Sequence, residues 1–429
     1  MMKKFGVKIL LFVVASNFYF SACKKKDKEF PVINFISPGA KSQYKVLETI
    51  YFKAEISDNK KIESISISLL DKNSTTIVSS FEPKKFEKGT TNFQLSESIE
   101  LSDKSIASGE YRIKISVSDG ELSSSKELII LIDELPKKRE AILYFLKNTN
   151  NFSVFKIDSA NSISQIANID GLYLGAKSFA SKQLIAAATN EPSQIAFYSY
   201  KSFSNPAIIS SLDLLSAFAI GDSCVYFGNR AGYCRGLDDL TVQKINFISS
   251  VESYFPTLIF EGSTNLFCVQ SSIFNQHILE VRNKFTGGLL KSKDLNFNPI
   301  CISEKNNDKI ILLKSENNQT QLIEYDFLNN TLSSIKDINE SIIYLKNLNP
   351  NILLLMGNNK IFSYNYSTGF LGEYSNFGGV YQMEIDELNN QIILLKSGQL
   401  ILSNKDSPTQ NFIIPLPIGE GQVQIMYNK

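Results

Sequence analysis

The sequence predicts an all-β protein with two domains, and three observations support this prediction. Apolar and polar residues alternate with a period of two in several short segments of residues 31–134, as expected for half-buried strands. From residue 141 onward, a short apolar segment followed by a polar turn recurs at nearly constant spacing. The chain of 429 residues is also too long for one small hydrophobic core.

The first 22 residues have the features of a secretory signal peptide. Lys3, Lys4 and Lys8 give its start a positive charge, and the apolar run 9–15 is shorter than the roughly 20 residues needed to span a bilayer. The next residues, Phe20-Ser21-Ala22-Cys23, resemble the lipobox of bacterial lipoproteins, although that motif favours Leu at the position of Phe20. An ordinary secretory signal with an unrelated cysteine is the alternative interpretation.

The lipoprotein resemblance implies that Cys23 becomes the lipidated first residue of the mature chain. Several acyl chains on one residue, palmitate among them, anchor a protein stably, whereas a single chain binds a membrane only marginally. Segment 23–30 would then be a charged, solvated tether, similar to the signals that direct some lipoproteins to the outer leaflet. We therefore expect a lipid-anchored protein of the bacterial outer membrane, exposed either at the cell surface or on the periplasmic face.

Charge excludes one class of partner. Loss of residues 1–22 removes three lysines, so the formal net charge changes from +1 to −2. The mature chain then has no basic field that would favour nucleic acid.

Cysteine and histidine usage bears on redox chemistry and metals. Cys224 and Cys234 flank the turn 229–232, so they form either a disulfide or two small buried side chains. Cys268 and Cys301 lie in apolar strands and are expected in the core. With one histidine, these spacings do not make a zinc site, and we expect no metal or other cofactor.

Residues 31–134 are predicted to form a β-sandwich. About seven strands in about 100 residues, separated by turn signals, are typical of two packed antiparallel sheets. The clearest strand-like segments are 49–57, 62–69, 92–101, 110–117 and 128–132.

One stretch of this domain, 109–120 (GEYRIKISVSDG), resembles the penultimate strand of immunoglobulin-like and PKD-like domains. In those families the tyrosine is usually a corner residue, which implies a structural role for Tyr111. Asp119 and Gly120 are expected to form a hairpin turn. Segment 135–140, in which Pro136 and four charged residues interrupt the apolar pattern, is the predicted linker to the second domain.

The second domain, residues 141–429, is organised by a repeated apolar strand. The central residues of these marker strands are 40 to 45 positions apart, at Leu143, Leu184, Val225, Leu266, Ile311, Leu353 and Ile393. Three further strand-like segments accompany each marker. Four short antiparallel strands in every repeat of about 41 residues are typical of a β-propeller.

The number of blades follows from the strands that precede each marker. Seven markers have only six such strands between them, because the first repeat begins directly at its marker strand. Segment 422–427 supplies the seventh, and pairing with the first repeat would remove an open sheet edge. We predict a seven-bladed propeller closed by the C-terminal strand. It resembles known seven-bladed propellers in architecture only, since the chain lacks Trp and therefore the Trp-Asp dipeptide and the aspartate box.

The repeats contain few groups suited to catalysis. His277 is predicted to be a surface turn residue, and no nucleophile elbow accompanies it. Arg230, Arg235 and Arg282 do not make the arginine cluster of a sialidase-like site. Acidic residues are scattered over every repeat, so a carboxylate pair for glycoside hydrolysis stays open as an alternative.

Ligand binding without catalysis is therefore the preferred hypothesis. The longest loops, 249–256 and 270–276, carry aromatic residues of the kind enriched at contact sites. The candidate binding residues are Arg230, Tyr254, Phe255 and Phe274. We expect the ligand to be a glycan, a peptide or an outer-membrane protein, and the membrane to be contacted through the lipid anchor. The alternative function is that of a propeller-type polysaccharide lyase or hydrolase.

Overall fold

The computed structural model of the chain describes most residues beyond the predicted leader. The described ranges are 28–78, 84–86, 89–180, 182–204, 206–211, 213–221, 224–237, 243–408 and 411–428. The predicted signal peptide 1–22, the predicted lipidation site Cys23 and the start of the predicted tether lie outside these ranges. Within them the protein is all-β, with 37 strands and no helix, which confirms the predicted class. Among these residues, none forms a helix of the length and hydrophobicity that crossing a membrane requires.

The chain divides into two compact units between Pro136 and Lys137. The predicted linker 135–140 is longer than the connection in the structure, because Arg139 and Glu140 already belong to the first strand of the second unit. The Arg139 backbone pairs with Tyr427, which accounts for the earlier start of the strand.

The first unit consists of two sheets. Their strands are β1 Val32–Ser37, β2 Gln43–Lys45, β3 Thr49–Ser57, β4 Ser64–Leu70, β5 Thr76–Val78, β6 Lys84–Lys85, β7 Asn92–Glu100, β8 Gly109–Ser118 and β9 Ser123–Asp133. One sheet has the order β1-β3-β7, and the other has the order β2-β9-β8-β4-β5 with β6 beside β4. Strand β2 runs parallel to β9, and the other pairs are antiparallel.

Alternation of side chains explains how the two sheets share one core. On β3, Ile50, Phe52, Ala54 and Ile56 are buried and the residues between them are exposed, as the period of two predicts. They join apolar residues of the other sheet in a single cluster. Tyr111 is buried in the same cluster and its hydroxyl donates a hydrogen bond to the Ala107 carbonyl, 2.9 Å away. This gives Tyr111 a structural role.

The second unit consists of seven four-stranded antiparallel sheets, numbered here in chain order. Their strands are, for sheet 1, β10 Arg139–Lys147, β11 Asn151–Ile157, β12 Ile163–Asp170 and β37 Gly421–Tyr427; for sheet 2, β13 Leu172–Phe179, β14 Leu184–Asn190, β15 Gln194–Ser199 and β16 Ala207–Ser210; for sheet 3, β17 Leu215–Ile220, β18 Val225–Asn229, β19 Tyr233–Leu237 and β20 Gln243–Ile248; for sheet 4, β21 Tyr254–Glu261, β22 Asn265–Ser272, β23 His277–Asn283 and β24 Leu289–Leu295; for sheet 5, β25 Cys301–Asn306, β26 Lys309–Glu316, β27 Gln319–Asp326 and β28 Thr331–Ile338; for sheet 6, β29 Ile342–Asn349, β30 Ile352–Gly357, β31 Ile361–Asn365 and β32 Leu371–Ser375; and for sheet 7, β33 Val380–Asp386, β34 Gln391–Lys396, β35 Gln399–Asn404 and β36 Asn411–Pro415.

Sheets 2 to 7 are each built from four consecutive strands, whereas sheet 1 combines β10, β11 and β12 with the last strand, β37. Strand β37 pairs with β10 in the register Leu143↔Gln424. It also contacts β13 of sheet 2 and β33 of sheet 7. The predicted pairing of segment 422–427 with the first repeat is thus present in the structure.

Apolar clusters fill the space between successive sheets. Each of seven clusters draws its buried residues from two neighbouring sheets. One of them contains Tyr144 of sheet 1 and Ile393 of sheet 7. All seven marker residues lie on the second strand of their sheets when sheet 1 is counted in spatial order from β37, and all except Leu184 are fully buried. The regular spacing in sequence therefore reflects one central, core-forming strand per sheet.

Candidate functional site

A cavity of about 420 Å³ opens between sheets 2 and 3. It lies at the end of each sheet where the second and third strands are joined by a turn, here called the hairpin end. The cavity is lined by Ser210, Ser211, Asp213, Phe227, Asn229, Tyr233 and Arg235. Its volume falls in the range of small-molecule sites, which is roughly 300–1,000 Å³.

One wall of the cavity is the hairpin formed by β18 and β19. Phe227 pairs with Arg235 across the two strands, and alternation places Asn229 and Tyr233 on the same face. Phe227 is 6% exposed and forms the floor, whereas Tyr233 and Arg235 are exposed at the rim. The turn is fixed because Asn229 Oδ1 accepts a hydrogen bond from the Tyr233 backbone amide, at 3.1 Å.

The opposite wall is the loop that leads from sheet 2 into sheet 3. The Ser211 hydroxyl donates a hydrogen bond to the Asp213 carbonyl at 2.8 Å, and the Ser211 amide donates to the Ser193 carbonyl at 2.9 Å. The Asn190 side chain makes two hydrogen bonds to Leu215, at the end of this loop. It accepts one from the Leu215 amide and donates one to the Leu215 carbonyl. These bonds hold the loop against sheet 2 and so fix this wall of the cavity.

The cavity combines one negative and one positive side chain with hydroxyl, amide and aromatic groups. Asp213 and Arg235 are both exposed, and neither forms an ion pair in the described part of the chain. Ser210 and Ser211 can donate and accept hydrogen bonds, and Tyr233 offers the face of its ring. Such a lining can recognise a ligand that has many hydroxyl groups and one apolar face.

The four candidate residues from the sequence lie at the hairpin end of sheets 3 and 4, beside the cavity and outside its lining. Arg230 is exposed, and its amide donates to the Leu214 carbonyl at 3.0 Å, which joins the hairpin to the cavity loop. The Tyr254 hydroxyl donates to Gln276 Oε1 at 2.9 Å. Phe274 is 78% exposed, whereas Phe255 is half-buried and pairs with Ser271.

The four residues chosen from the sequence lie next to the cavity, and sequence reasoning did not select the lining residues themselves. Tyr233 and Arg235 flank the same turn as Arg230, and their alternation with buried Cys234 was the available signal. Asp213 could not be linked to them, because the contact depends on how two sheets pack.

The alternative of a disulfide between Cys224 and Cys234 is wrong for this structure, in which both thiols are buried and unbonded to each other. The register pairs Cys234 with Gly228. Cys224 immediately precedes β18 and is four residues before Gly228, which corresponds to roughly 13 Å of extended chain, too far for a disulfide. Cys234 instead lies against Cys268 of sheet 4, and their hydrogen bond together with burial raises the pKa of the Cys268 thiol. Cys268 is fully buried, as predicted.

The prediction that His277 is a surface residue is also wrong. It is the first residue of β23 and is 5% exposed. Its Nδ1 lies 2.8 Å from the Ser271 hydroxyl, and burial lowers the pKa of the imidazole. The histidine is buried because sheets 3 and 5 cover both faces of sheet 4.

The next polar residues of β23 form a buried ion pair that sequence reasoning did not find. Glu280 Oε2 lies 2.7 Å from Arg282 Nη2, and both side chains are almost completely buried. Glu280 Oε1 accepts from the Ser250 amide at 2.9 Å and from the Ser250 hydroxyl at 2.5 Å. The guanidinium stacks on Phe247, 3.8 Å from the ring centre. Through Ser250, the ion pair therefore fixes the loop that precedes β21. Tyr254 is the first residue of that strand.

Comparison with known proteins adds little to this site. The sequence matches no protein-family model and none of the curated proteins. Among solved structures, the computationally designed Ika8 protein is 11% identical, with a TM-score of 0.46, over 65% of this chain and 88% of that one. A Bacteroides uniformis protein provisionally named as a 6-phosphogluconolactonase is 10% identical, with a TM-score of 0.49, over 67% of this chain and 100% of that one. Sqt1 of Saccharomyces cerevisiae is 12% identical, with a TM-score of 0.48, over 65% of this chain and 83% of that one.

Proposed function

We propose that this protein is a membrane-anchored lipoprotein whose repeat unit is a seven-bladed β-propeller that binds a glycan without transforming it. The anchor is inferred from the lipobox-like Phe20-Ser21-Ala22-Cys23, and the expected location is the outer membrane. The first unit, an immunoglobulin-like sandwich in this proposal, lies between the anchor and the propeller in the sequence and serves as a spacer.

Two observations support a closed propeller. The first strands of sheets 2 to 7 contact one another in series, and β37 contacts the first and the last member of that series. The apolar cluster of Tyr144 and Ile393 joins sheet 7 to sheet 1 in the same way as the other clusters join consecutive sheets. A ring in which every sheet has two neighbours buries both faces of all seven sheets.

The cavity between sheets 2 and 3 is the observation that carries the binding proposal. Its rim offers the Tyr233 ring for stacking on the apolar face of a sugar. Asp213, Asn229, Arg235 and the two serines can hydrogen-bond to sugar hydroxyls. Asp213 is the single carboxylate among the lining residues that the structure describes, whereas glycoside hydrolysis generally uses two. The lining therefore favours binding over hydrolysis.

Titration of the full chain with a panel of neutral oligosaccharides tests this function. Tyr233→Ala should weaken binding by about tenfold, or about 1.4 kcal/mol, since an aromatic contact is lost. Tyr51→Ala is the matched control, because Tyr51 is 72% exposed on the first unit. Equal affinity of Tyr233→Ala and the unmodified chain would exclude the cavity as the site. Release of shortened sugars that stops in Asp213→Asn would instead establish the hydrolase alternative.

Metabolic labelling with palmitate tests the proposed lipid anchor at Cys23. Cells that express the chain and are fed radiolabelled palmitate should incorporate the label, and Cys23→Ala should abolish incorporation. Labelling that survives Cys23→Ala would contradict lipidation at this residue.

A further inference from the structure

A second cavity, of about 550 Å³, lies at the end of sheets 1 and 2 that is opposite to the hairpin end. Its lining consists of Lys138, Arg139, Glu140, Lys156, Ser159, Tyr200 and Lys201. Four of these seven side chains are cationic and one is anionic, although the mature chain would carry a net negative charge. Lys156 and Lys201 form no ion pair in the described part of the chain. The cavity is therefore a local concentration of positive charge, which attracts anions.

Arg139 is held in a fixed orientation at the edge of this cavity. Its Nη1 lies 2.8 Å from both Asp386 Oδ2 and Gln391 Oε1. Asp386 is fully buried and also accepts a hydrogen bond from the Tyr427 hydroxyl, at 3.1 Å. These contacts use a single nitrogen of the guanidinium. Within the described residues Nε and Nη2 make no hydrogen bond, and such a pair of donors is the arrangement that recognises planar or tetrahedral oxyanions.

Tyr200 supplies an independent observation. The residue is 7% exposed, and its buried hydroxyl oxygen has no hydrogen-bond partner among the described residues. Buried hydroxyl groups nearly always have a partner, because leaving one unsatisfied destabilises the folded state. Its ring lies 5.3 Å from Lys156 Nζ, and its amide donates to the Gln183 carbonyl at 3.0 Å. The Tyr200 side chain thus lines the cavity with its ring beside Lys156, and an anionic oxygen would supply the partner that its hydroxyl lacks.

We propose that this cavity binds a phosphate group carried by a larger ligand. A phosphate dianion matches several cations better than a carboxylate, which carries one charge, and it can accept from Arg139, Tyr200 and the lysines together. The volume leaves room for the rest of the ligand. The cavity at the hairpin end differs, because there one acid balances one base. The chain would then have two sites of different chemistry at opposite ends of its sheets.

The test uses the full chain in a non-ionic detergent, titrated calorimetrically with inorganic phosphate. Tyr200→Phe should weaken phosphate binding by about tenfold, because one donor is lost. The same variant should melt at a higher temperature in the absence of phosphate, because it removes the unsatisfied hydroxyl. Lys201→Gln should also weaken binding by about tenfold. Lys293→Gln, which removes an equal charge on the outer strand of sheet 4, should bind as the unmodified chain does.

Two further arms identify the source of the phosphate. Flotation of the Cys23→Ala protein, which lacks the proposed anchor, with phosphatidylcholine vesicles that contain phosphatidic acid would indicate a lipid headgroup if Lys201→Gln abolishes it. Binding of inorganic phosphate and a sugar phosphate without flotation would indicate a soluble ligand. The proposal is overturned if neither phosphate nor these vesicles bind, or if Tyr200→Phe and Lys201→Gln bind phosphate as tightly as Lys293→Gln.

Discussion

Glu280 and Arg282 lie two residues apart on one face of β23 and form an ion pair of 2.7 Å between side chains that water hardly reaches. Gln270 Nε2 also donates to Glu280, at 3.1 Å, and Arg282 Nη1 donates to the Gly287 carbonyl, at 2.9 Å. The charges are thus paired and hydrogen-bonded, which is the condition for burying them without a large energetic cost.

Arg282→Met should destabilise the repeat unit by about 3–5 kcal/mol, because it leaves the Glu280 carboxylate buried without a counter-ion. Urea unfolding followed by circular dichroism measures this change. Lys360→Met is the control, since its ion pair with Glu373 is exposed at 3.4 Å and should contribute about 0–1 kcal/mol. Similar losses in both variants would contradict a special role for the buried pair.

Removal of residues 421–428 should make the repeat unit unfold in a broad, non-cooperative transition. The deletion takes the fully buried Val423 and Met426 out of two apolar clusters and exposes one edge of β10. Thermal melting and size-exclusion chromatography would detect the loss of cooperativity and the formation of oligomers. A synthetic peptide of residues 421–428 should restore the sharp transition, and a scrambled peptide should not. Unchanged melting of the truncated chain would show that β37 is dispensable.

Stability should fall as the pH is lowered through the titration range of His277. Burial lowers the pKa of this imidazole in the folded state, so below the unfolded value of about 6.5 the unfolded chain binds the extra proton more readily. The stabilisation is present above that value and is lost as the pH falls through the folded pKa. His277→Gln should show a smaller loss of melting temperature between neutral and mildly acidic pH. Identical pH profiles of the two proteins would contradict this assignment.

The four cysteines of the described chain should all be recovered as thiols. Cys234 and Cys268 are fully buried, and burial together with hydrogen bonding between them keeps the Cys268 thiol protonated. Iodoacetamide should therefore leave both unmodified in the folded protein and alkylate both after denaturation without reductant. Mass spectrometry reads out the result. A peptide pair joined through Cys224 and Cys234 would contradict the register of β18 and β19.

Much of the architecture could be predicted because it depends on local periodicity. Each marker strand is apolar on both faces, since it lies in the middle of a sheet that is covered on both sides. Segment 422–427 could be assigned to sheet 1 by counting strands alone. Both signals reside in short stretches of sequence, where alternation and turn residues suffice.

The site could not be predicted to the same extent, because it depends on packing between sheets. Within the stretch 277–282 (HILEVR), the last four residues, Leu279-Glu280-Val281-Arg282, alternate as a half-exposed strand would. Yet all six residues are buried, and the polar face is accommodated by partners from other segments, such as Ser250. Likewise, Asp213 meets Tyr233 only because sheets 2 and 3 pack side by side.

The position of β10 between β11 and β37 determines how the repeat unit would respond to mechanical force. Tension transmitted along the chain from its N-terminal side would enter the repeat unit at Lys137 and act first on β10. Because this strand is hydrogen-bonded along both edges, extracting it requires two ladders to break, whereas an edge strand could peel away through one. Lys138 and Asn428 add two hydrogen bonds, of 2.8 and 3.1 Å, at the point where the load arrives. A protein tethered at one end while holding a ligand under flow would gain from a first strand that resists unzipping.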